Sequence, residues 1–281
     1  MMQKKKKLCL VLTGFIAALA VGLVSAALAT NFWVESKPVR EVPQQIIDSA
    51  KNVSGVYDTN KFKGEVHFGL FYGSKVLNYG FGESGRETEI IVTCLPEQNV
   101  CGYSLGSDET RRLKDVRDRV ADVNSLVANG TVPKEARNGL FNFGLWVATI
   151  IFSAFSIAWG LVCIGFVVLN VGTKPIETLT GPMGLYLWNA FALFFTLLSV
   201  IMYIILYHVD LVDNVMTSME KQNYWTSQDR TYLSYSFWFM VVPTGCYLLN
   251  IIIIYISGTK IKPVRYQASM KQAQIDGVMM Y

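Results

Sequence analysis

Residues 138–173 read NGLFNFGLWVATIIFSAFSIAWGLVCIGFVVLNVGT, and no charged residue interrupts the chain between Arg137 and Lys174. An α-helix needs roughly 20 apolar residues to cross the hydrocarbon of a bilayer, and buried helices of soluble proteins rarely stay apolar for so long. Three more uncharged windows lie between Lys7 and Glu35, between Glu177 and Asp210, and between Arg230 and Lys260. The sequence therefore predicts an integral membrane α-helical protein, a bundle of four transmembrane helices.

These windows divide the chain into spans and loops. The predicted spans are residues 8–30, 140–170, 183–207 and 235–257. A large loop (31–139) follows the first span, a short loop (171–182) follows the second, and a further loop (208–234) follows the third. Residues 1–7 and 258–281 remain as terminal segments.

Positive charge predicts the orientation of the spans. The short segments beside them are basic, with Lys4–Lys7 before the first span, Lys174 in the short loop, and Lys260, Lys262, Arg265 and Lys271 after the last span. Because short basic segments stay in the cytoplasm, we expect both termini in the cytoplasm and the loops 31–139 and 208–234 outside the cell. The net charge of +4 includes no long basic tract that would bind nucleic acid.

The first window has a second interpretation. Residues 4–29 also show the basic start, apolar centre and Ala27-Leu28-Ala29 cleavage site of a signal peptide. The apolar run from Leu8 to Ala29 is longer than the usual core of about 7–15 residues, which favours a retained span. Cys9 lies beside the lysines and is a candidate for palmitoylation, with a buried, unmodified cysteine as the alternative.

Small residues in the first span predict a helix-packing face. One row follows a spacing of about one helical turn: Gly14, Ala18, Gly22 and Ala26. Small residues let helices approach closely in a bilayer. The alternative is that Ala and Gly are simply frequent in such helices.

Two asparagines predict a polar contact between the last two spans. An amide without a partner in hydrocarbon is costly. Asn189 and Asn250 both lie about 9–12 Å from the cytoplasmic end, so they can hydrogen-bond each other. A bond from each amide to a local backbone carbonyl is the alternative.

The spans contain no residue type that suggests chemistry or transport. Channels, pumps and voltage sensors normally need ionisable or polar groups within their spans. The only histidines, His67 and His208, are isolated in sequence, whereas metal sites and activated nucleophiles need clusters. We therefore predict a protein that is not an enzyme, with no catalytic residues, no metal and no cofactor.

The large loop carries the signals of a small β-sheet over residues 64–101. Apolar residues alternate there as in a half-buried strand: Val66, Phe68, Leu70 and Tyr72. If Pro96–Asn99 form a hairpin loop, Cys94 opposes Cys101 within reach of a disulfide. An oxidising compartment permits that bond, and two free thiols are the alternative. Asn52 and Asn129 begin glycosylation sequons in the same loop.

An amphipathic helix is predicted over residues 108–128. Its apolar positions follow a 3-4-3-4 spacing: Leu113, Val116, Val120, Val123 and Val127. Acidic residues begin the segment, and Gly130 and Pro133 follow its end, as helix boundaries require. We expect its apolar face to cover the strands, with docking into a partner's groove as the alternative.

The chain ends in Val278-Met279-Met280-Tyr281. Apolar residues at the terminus and two positions before it suit a peptide that adds a strand to a PDZ domain. The tail therefore predicts a cytoplasmic PDZ-type adaptor as a partner, with a disordered tail as the alternative.

Several stretches resemble the clarin family. They are KPIETLTGPMGLYLWN at 174–189, YSFW at 235–238, NVSG at 52–55, KFKGE at 61–65, GLFYG at 69–73, and the terminal DGVMMY. The resemblance implies a tetraspan, claudin-like protein that organises the plasma membrane and is linked to actin-rich protrusions and sensory cells. Cys94 and Cys101 lie closer together than the claudin cysteine pair, and residues 108–128 look like an insertion, so claudin-type sealing is not implied.

Together these features predict a non-enzymatic organiser or scaffold. Its expected partners are the lipid bilayer and other membrane proteins. The alternative is an adhesion or junction protein that acts through the large loop. A channel or transporter is a third class, which the uncharged spans disfavour.

Overall fold

A computed structural model describes residues 2–48, 62–78, 87–127, 137–172 and 182–257. Its main helices are α1 (Met2–Ala29), α2 (Glu109–Val127), α3 (Phe143–Gly172), α4 (Pro182–Leu206), α5 (Ser218–Gln222) and α6 (Tyr235–Ile256). Its strands are β1 (Val34–Ser36), β2 (Val39–Arg40), β3 (Gly64–Phe68), β4 (Tyr72–Leu77), β5 (Thr88–Leu95), β6 (Val100–Leu105), β7 (Leu140–Asn142), β8 (Trp225–Thr226) and β9 (Thr231–Leu233).

Four helices are long and apolar enough to cross a membrane. They comprise Lys7–Ala29, Phe143–Gly172, Gly184–Leu211 and Tyr235–Ile256. Helix α1 packs against α3 and α6, and α4 packs against the same two helices, so the four form a closed bundle. Length, composition and packing fit a multi-pass membrane protein of four spans.

Two span boundaries differ from those predicted. The predicted span 140–170 was wrong at its start, because Leu140–Asn142 form β7 and α3 begins at Phe143. The Asn142 side chain accepts a hydrogen bond from the backbone N–H of Leu145 at 3.0 Å, which caps the helix at this point. The predicted span 183–207 was too short, because α4 continues as a π-helical turn, Tyr207–Leu211.

The core of the bundle is polar and small where it meets α3. The buried face of this helix consists of Thr149, Ser153, Ser156, Gly160, Cys163, Val167 and Asn170. These positions follow the alternating spacing of three and four residues that keeps one stripe against neighbouring helices. Hydroxyl groups on α3 and α4 bond each other across the core, as in the Ser153–Ser199 pair at 2.8 Å.

A seven-stranded antiparallel sheet lies at one end of the bundle. Its order is β7-β6-β5-β4-β3-β1-β9, and β2 pairs with β8 in a separate ribbon. The alternating pattern at 64–101 predicted only its central strands. Strand β1 follows α1 in the chain, whereas the edge strands β7 and β9 come directly before α3 and α6. Three of the four spans are therefore continuous with strands of the sheet.

Helix α2 lies on this sheet against β5 and β6. Its buried residues Val116 and Val120 form a cluster with Leu140 of β7. The apolar face that the sequence indicated is therefore occupied within the chain. We use the name loop module for the strands β1–β9, helix α2 and residues 207–234.

Candidate functional site

A buried ion pair joins the two loops. The Nζ atom of Lys75 on β4 donates to both carboxylate oxygens of Glu220 on α5, at 2.9 and 3.0 Å. The side chains are only 9% and 10% exposed. Register places Lys75 opposite Val66 on the inner face of the sheet, where an unpaired charge would carry a large desolvation cost.

Helix α5 presents Glu220 in a fixed orientation. The Glu220 carboxylate accepts a hydrogen bond from the backbone N–H of Thr217 at 2.9 Å, and the Thr217 side chain completes a capping box. The same carboxylate thus caps a short helix and neutralises Lys75. Because both roles require one geometry, the pair fixes where the second loop sits on the sheet.

A second contact closes the edge of β7. Asp210 on the π-helical turn pairs with Arg137 and accepts from the backbone N–H of Asn142 at 2.9 Å. Asn214 accepts from the N–H of Gly139 at 2.9 Å and donates to the carbonyl of Leu140 at 3.0 Å. An uncovered strand edge exposes backbone groups that can pair with other chains. The end of α4 covers this edge with side chains.

Arg119 is the most buried cation of α2, at 3% exposure. Its guanidinium donates to the carbonyl of Tyr103 at 3.1 Å, to that of Asn138 at 3.2 Å and to the Asp115 carboxylate at 2.7 Å. Burial lowers the pKa of Arg119, and Asp115 counteracts part of this shift. Arg119 lines a partly open cavity of about 10 Å³ beside Lys75, roughly the space that one water needs.

The hairpin β5–β6 places Cys94 opposite Cys101, with a Cα–Cα distance of 4.0 Å and the sulfurs bonded. Pro96–Gln98 form a short 3-10 turn, and Asn99 follows with a φ of 54°. The Asn99 side chain accepts from the backbone N–H of Gly144 at 2.9 Å, so the hairpin tip also holds the start of α3.

The two intramembrane asparagines lie in the bundle core. The Asn250 amide donates to Asn189 Oδ1 at 3.1 Å and to the carbonyl of Thr13 at 3.2 Å. The Asn189 amide donates to the carbonyl of Leu185 at 2.8 Å and to the Cys163 sulfur at 3.0 Å. The predicted bond between the two asparagines is present. Asn189 also bonds a local carbonyl, whereas the carbonyl that Asn250 bonds lies on α1. This network joins all four helices.

The predicted packing row on α1 was wrong for contacts within the chain. Ala18 and Gly22 are exposed, while Gly14 and Ala26 lie at the margin of the contact. The buried face is instead formed by Leu10, Thr13, Ala17, Ala20, Val24 and Ala27. A strict four-residue row drifts by about 40° per step around a helix of 3.6 residues per turn. The buried positions of α1 alternate between spacings of three and four residues, so they stay on one side of the helix.

Other predicted residues lie apart from these contacts. Cys9 is half-buried on α1. The sequons at Asn52 and Asn129 lie outside the described residues, as does the predicted adaptor-binding tail Val278, Met279, Met280 and Tyr281.

His67 lies on strand β3, beside the hydroxyl group of Ser74. Its Nε2 atom lies 2.8 Å from Ser74 Oγ, and its ring stacks on Phe32 with centroids 4.0 Å apart. Across the described ranges, no group of three or more His, Cys, Asp and Glu side chains is arranged to hold a metal ion.

Sequence reasoning missed the charged pairs of the loop module. It assigned Lys75, Glu220, Arg137 and Asp210 no partner, because pairs 73 and 145 positions apart in sequence leave no local pattern. One signal becomes visible once the strand register is known. Lys75 lies directly opposite the buried Val66 in the strand register, and a cation at such an inward position needs a buried acid.

Known proteins match this chain along most of its length. A model of the Clarin-2-like family matches residues 135–254. Clarin-2 of Homo sapiens is 22% identical over 245 residues, which cover 86% of this chain and 84% of Clarin-2. The chain is similar to clarins. Clarin-2 of Mus musculus is 22% identical over 255 residues, covering 90% of this chain and 88% of the relative. Clarin-1 of Homo sapiens is 26% identical over 188 residues, covering 66% of this chain and 60% of the relative.

The similarity to clarins confirms the resemblance inferred from the sequence motifs. The part of the chain that matches the family model contains α3, α4 and most of α6, together with Asp210, Asn214 and Glu220. The acids that attach the second loop to the sheet therefore lie within the matched segment.

Proposed function

We propose that this protein is a clarin-type, non-enzymatic organiser of the plasma membrane that holds other membrane proteins through fixed surfaces. The observation that carries the proposal is that two charged pairs, Lys75 with Glu220 and Arg137 with Asp210 on the turn that ends α4, hold the two loops together as one unit. Such an attachment gives a surface of constant shape, which suits recognition of a partner. The uncharged outer faces of the four helices are open to lipid and to neighbouring spans.

In this proposal the loop module lies outside the cell and both termini lie in the cytoplasm. The basic segments beside the spans support that orientation. A glycosidase should shift the mobility of the expressed protein, and Asn52→Gln or Asn129→Gln should reduce the shift. An unshifted wild-type band would contradict the outward orientation of the large loop.

The cytoplasmic tail supplies a second contact, for an adaptor with a PDZ domain. Resemblance to clarins supports a location in actin-rich protrusions or sensory cells, where such adaptors would connect membrane partners to the cytoskeleton. One alanine added after Tyr281 should abolish capture of the adaptor, because the terminal carboxylate must enter the binding groove. One alanine inserted before Asp276 is the matched control, and equal capture by both variants would exclude this role.

Proximity labelling from the C-terminus tests the organiser function. We expect a reproducible set of integral membrane proteins to be labelled more strongly than by another four-span protein expressed at the same level. Identical labelling by the two proteins would contradict the proposal.

Adhesion through the loop module is the alternative function. The charged strand ends that point away from the bundle favour it, because Lys37 and Arg230 are both exposed there. Aggregation of suspended cells on expression of this protein would support adhesion, and the absence of aggregation would exclude adhesion and leave the organiser role.

A further inference from the structure

A cleft lies at the strand ends that are farthest from the bundle. Strand β1 begins just after α1, and β9 stops just before α6, so their other ends, at Ser36 and Thr231, point away from the bundle. The cleft lies where β1, β3, β4 and β9 end and has a volume of about 510 Å³. We call it the distal cleft. Its size falls within the range of about 300–1,000 Å³ that is usual for ligand sites.

Strand register places three cations of the distal cleft on one face. The backbone N–H of Lys37 donates to the carbonyl of Arg230 at 3.0 Å, so these residues are opposite each other. Extending the β1–β3 register by one position places Lys37 across from Glu65. Lys63 lies two positions before Glu65 and so shares its face. With strands about 4.8 Å apart, the three cations form a row about 10 Å long.

Two charges of this row, those of Lys63 and Arg230, are available to a ligand. Lys63 and Arg230 are exposed, and neither pairs with an acidic side chain in the part of the chain that the structure describes. Lys37 is 63% exposed and lies 3.4 Å from Glu35. Its ammonium group also lies 5.7 Å from the centre of the Tyr232 ring. The lining of the distal cleft holds three cations and the carboxylate Glu65. Because Glu35 neutralises Lys37 from beside the cleft, the local excess is one positive charge.

The spacing of the three cations favours a long polyanion over a single small anion. A single carboxylate or phosphate is about as wide as one strand spacing and would reach one or two members of the row. An extended chain with repeated anionic groups can contact all three cations. Exposed lysine and arginine side chains bind such a polyanion chiefly by releasing its counterions, which needs a row of charges and no enclosed pocket.

We infer that the distal cleft binds a sulfated glycosaminoglycan chain, with its sulfate groups on Lys37, Lys63 and Arg230. The biological setting rests on the outward orientation proposed above. The binding can be measured in purified protein whichever way the chain is oriented, so failure of the inference and failure of the orientation are distinguishable.

The test uses the full chain in lipid nanodiscs and a fluorescent heparin oligosaccharide as the probe. The variant Lys63→Gln/Arg230→Gln removes two exposed cations without touching the buried pairs. We expect at least about tenfold weaker binding, and a slope of log affinity against log salt that is smaller by roughly two, since two fewer counterions are released. The matched control is Lys114→Gln/Arg117→Gln, which removes one lysine and one arginine from the exposed face of α2.

Three outcomes would overturn the inference. Equal losses in the cleft variant and the α2 variant would mean that binding depends on net charge alone. Unchanged binding in the cleft variant would place the heparin elsewhere. Equally tight binding of hyaluronan, which carries carboxylates and no sulfate, or of a polyglutamate peptide would assign the cleft to carboxylate ligands.

Discussion

Replacing Lys75 by methionine should detach the second loop from the sheet. Methionine keeps most of the aliphatic length of lysine, so the packing around β4 changes little. The Glu220 carboxylate would remain 10% exposed and would lose both of its contacts with Nζ. Removing one member of a buried ion pair costs about 3–5 kcal/mol, because the other charge stays buried without compensation.

The size of this effect can be measured as a melting temperature. A loss of about 3–5 kcal/mol corresponds to a decrease of roughly 6–20 °C for a protein of this size class. The assay follows tryptophan fluorescence of the full chain in nanodiscs during heating, because Trp225 is buried in the core that joins the second loop to the sheet. The control Lys114→Met changes the same residue type at an exposed position and should stay within about 0.5 kcal/mol of wild type.

A double variant separates the effect of an unpaired buried charge from a general loss of packing. Glu220→Gln keeps an oxygen for the N–H of Thr217 and removes the charge. Lys75→Met/Glu220→Gln should therefore melt at a higher temperature than Lys75→Met, because the unpaired carboxylate is gone. Equal melting of Lys75→Met and Lys114→Met would refute the reasoning, as would a double variant whose loss equals the sum of the single losses.

Three further predictions concern the bundle and the sheet. A double-mutant cycle of Asn189→Ala and Asn250→Ala should give a coupling of about 0.6–2 kcal/mol, measured by denaturation in mixed micelles; additive losses would exclude the hydrogen bond. Gly160→Ala should destabilise the protein by about 1–3 kcal/mol, because the added Cβ would collide with Tyr247 and Val21. Gly22→Ala should be nearly neutral, because its Cβ would have no neighbour within 4 Å. Equal losses of stability in the two variants would mean that Gly22 lies in a packed face, as the sequence predicted. Burial raises the pKa of Glu35, but hydrogen bonds from Tyr232 and Lys37 outweigh it and leave the pKa below its ordinary value of 4.5. The stability that Glu35 contributes should therefore be complete above that pH and should disappear as the pH falls through the lowered pKa; a melting difference between wild type and Glu35→Gln that widens on acidification would contradict this assignment.

The four spans were predictable because bilayer thickness sets a length that sequence alone can reveal. The hairpin at Cys94 and Cys101 was predictable for a similar reason, since its contacts are separated by 7 positions. Helix α2 carried its own periodicity. In each case the deciding interaction is local in sequence or is set by the thickness of the bilayer.

The remaining features depend on contacts between distant segments. Strands β1, β7 and β9 are only three residues long. They are strands because β1 pairs with β3, β7 pairs with β6, and β9 pairs with β1. The boundary at Asn142 was missed because apolar residues continue across it. The packing face of α1 was missed because small size identifies residues that permit close approach and does not identify which direction the neighbouring helices occupy.

Hydrogen exchange of the full chain in nanodiscs tests most directly whether the two loops form one unit fixed to the bundle. We predict that residues 212–227 exchange as slowly as β5 and β6 in the wild-type protein. We also predict that Lys75→Met speeds exchange in 212–227 while α3 and α4 stay protected. Fast exchange of 212–227 in the wild-type protein, comparable to that of a free peptide, would contradict the account.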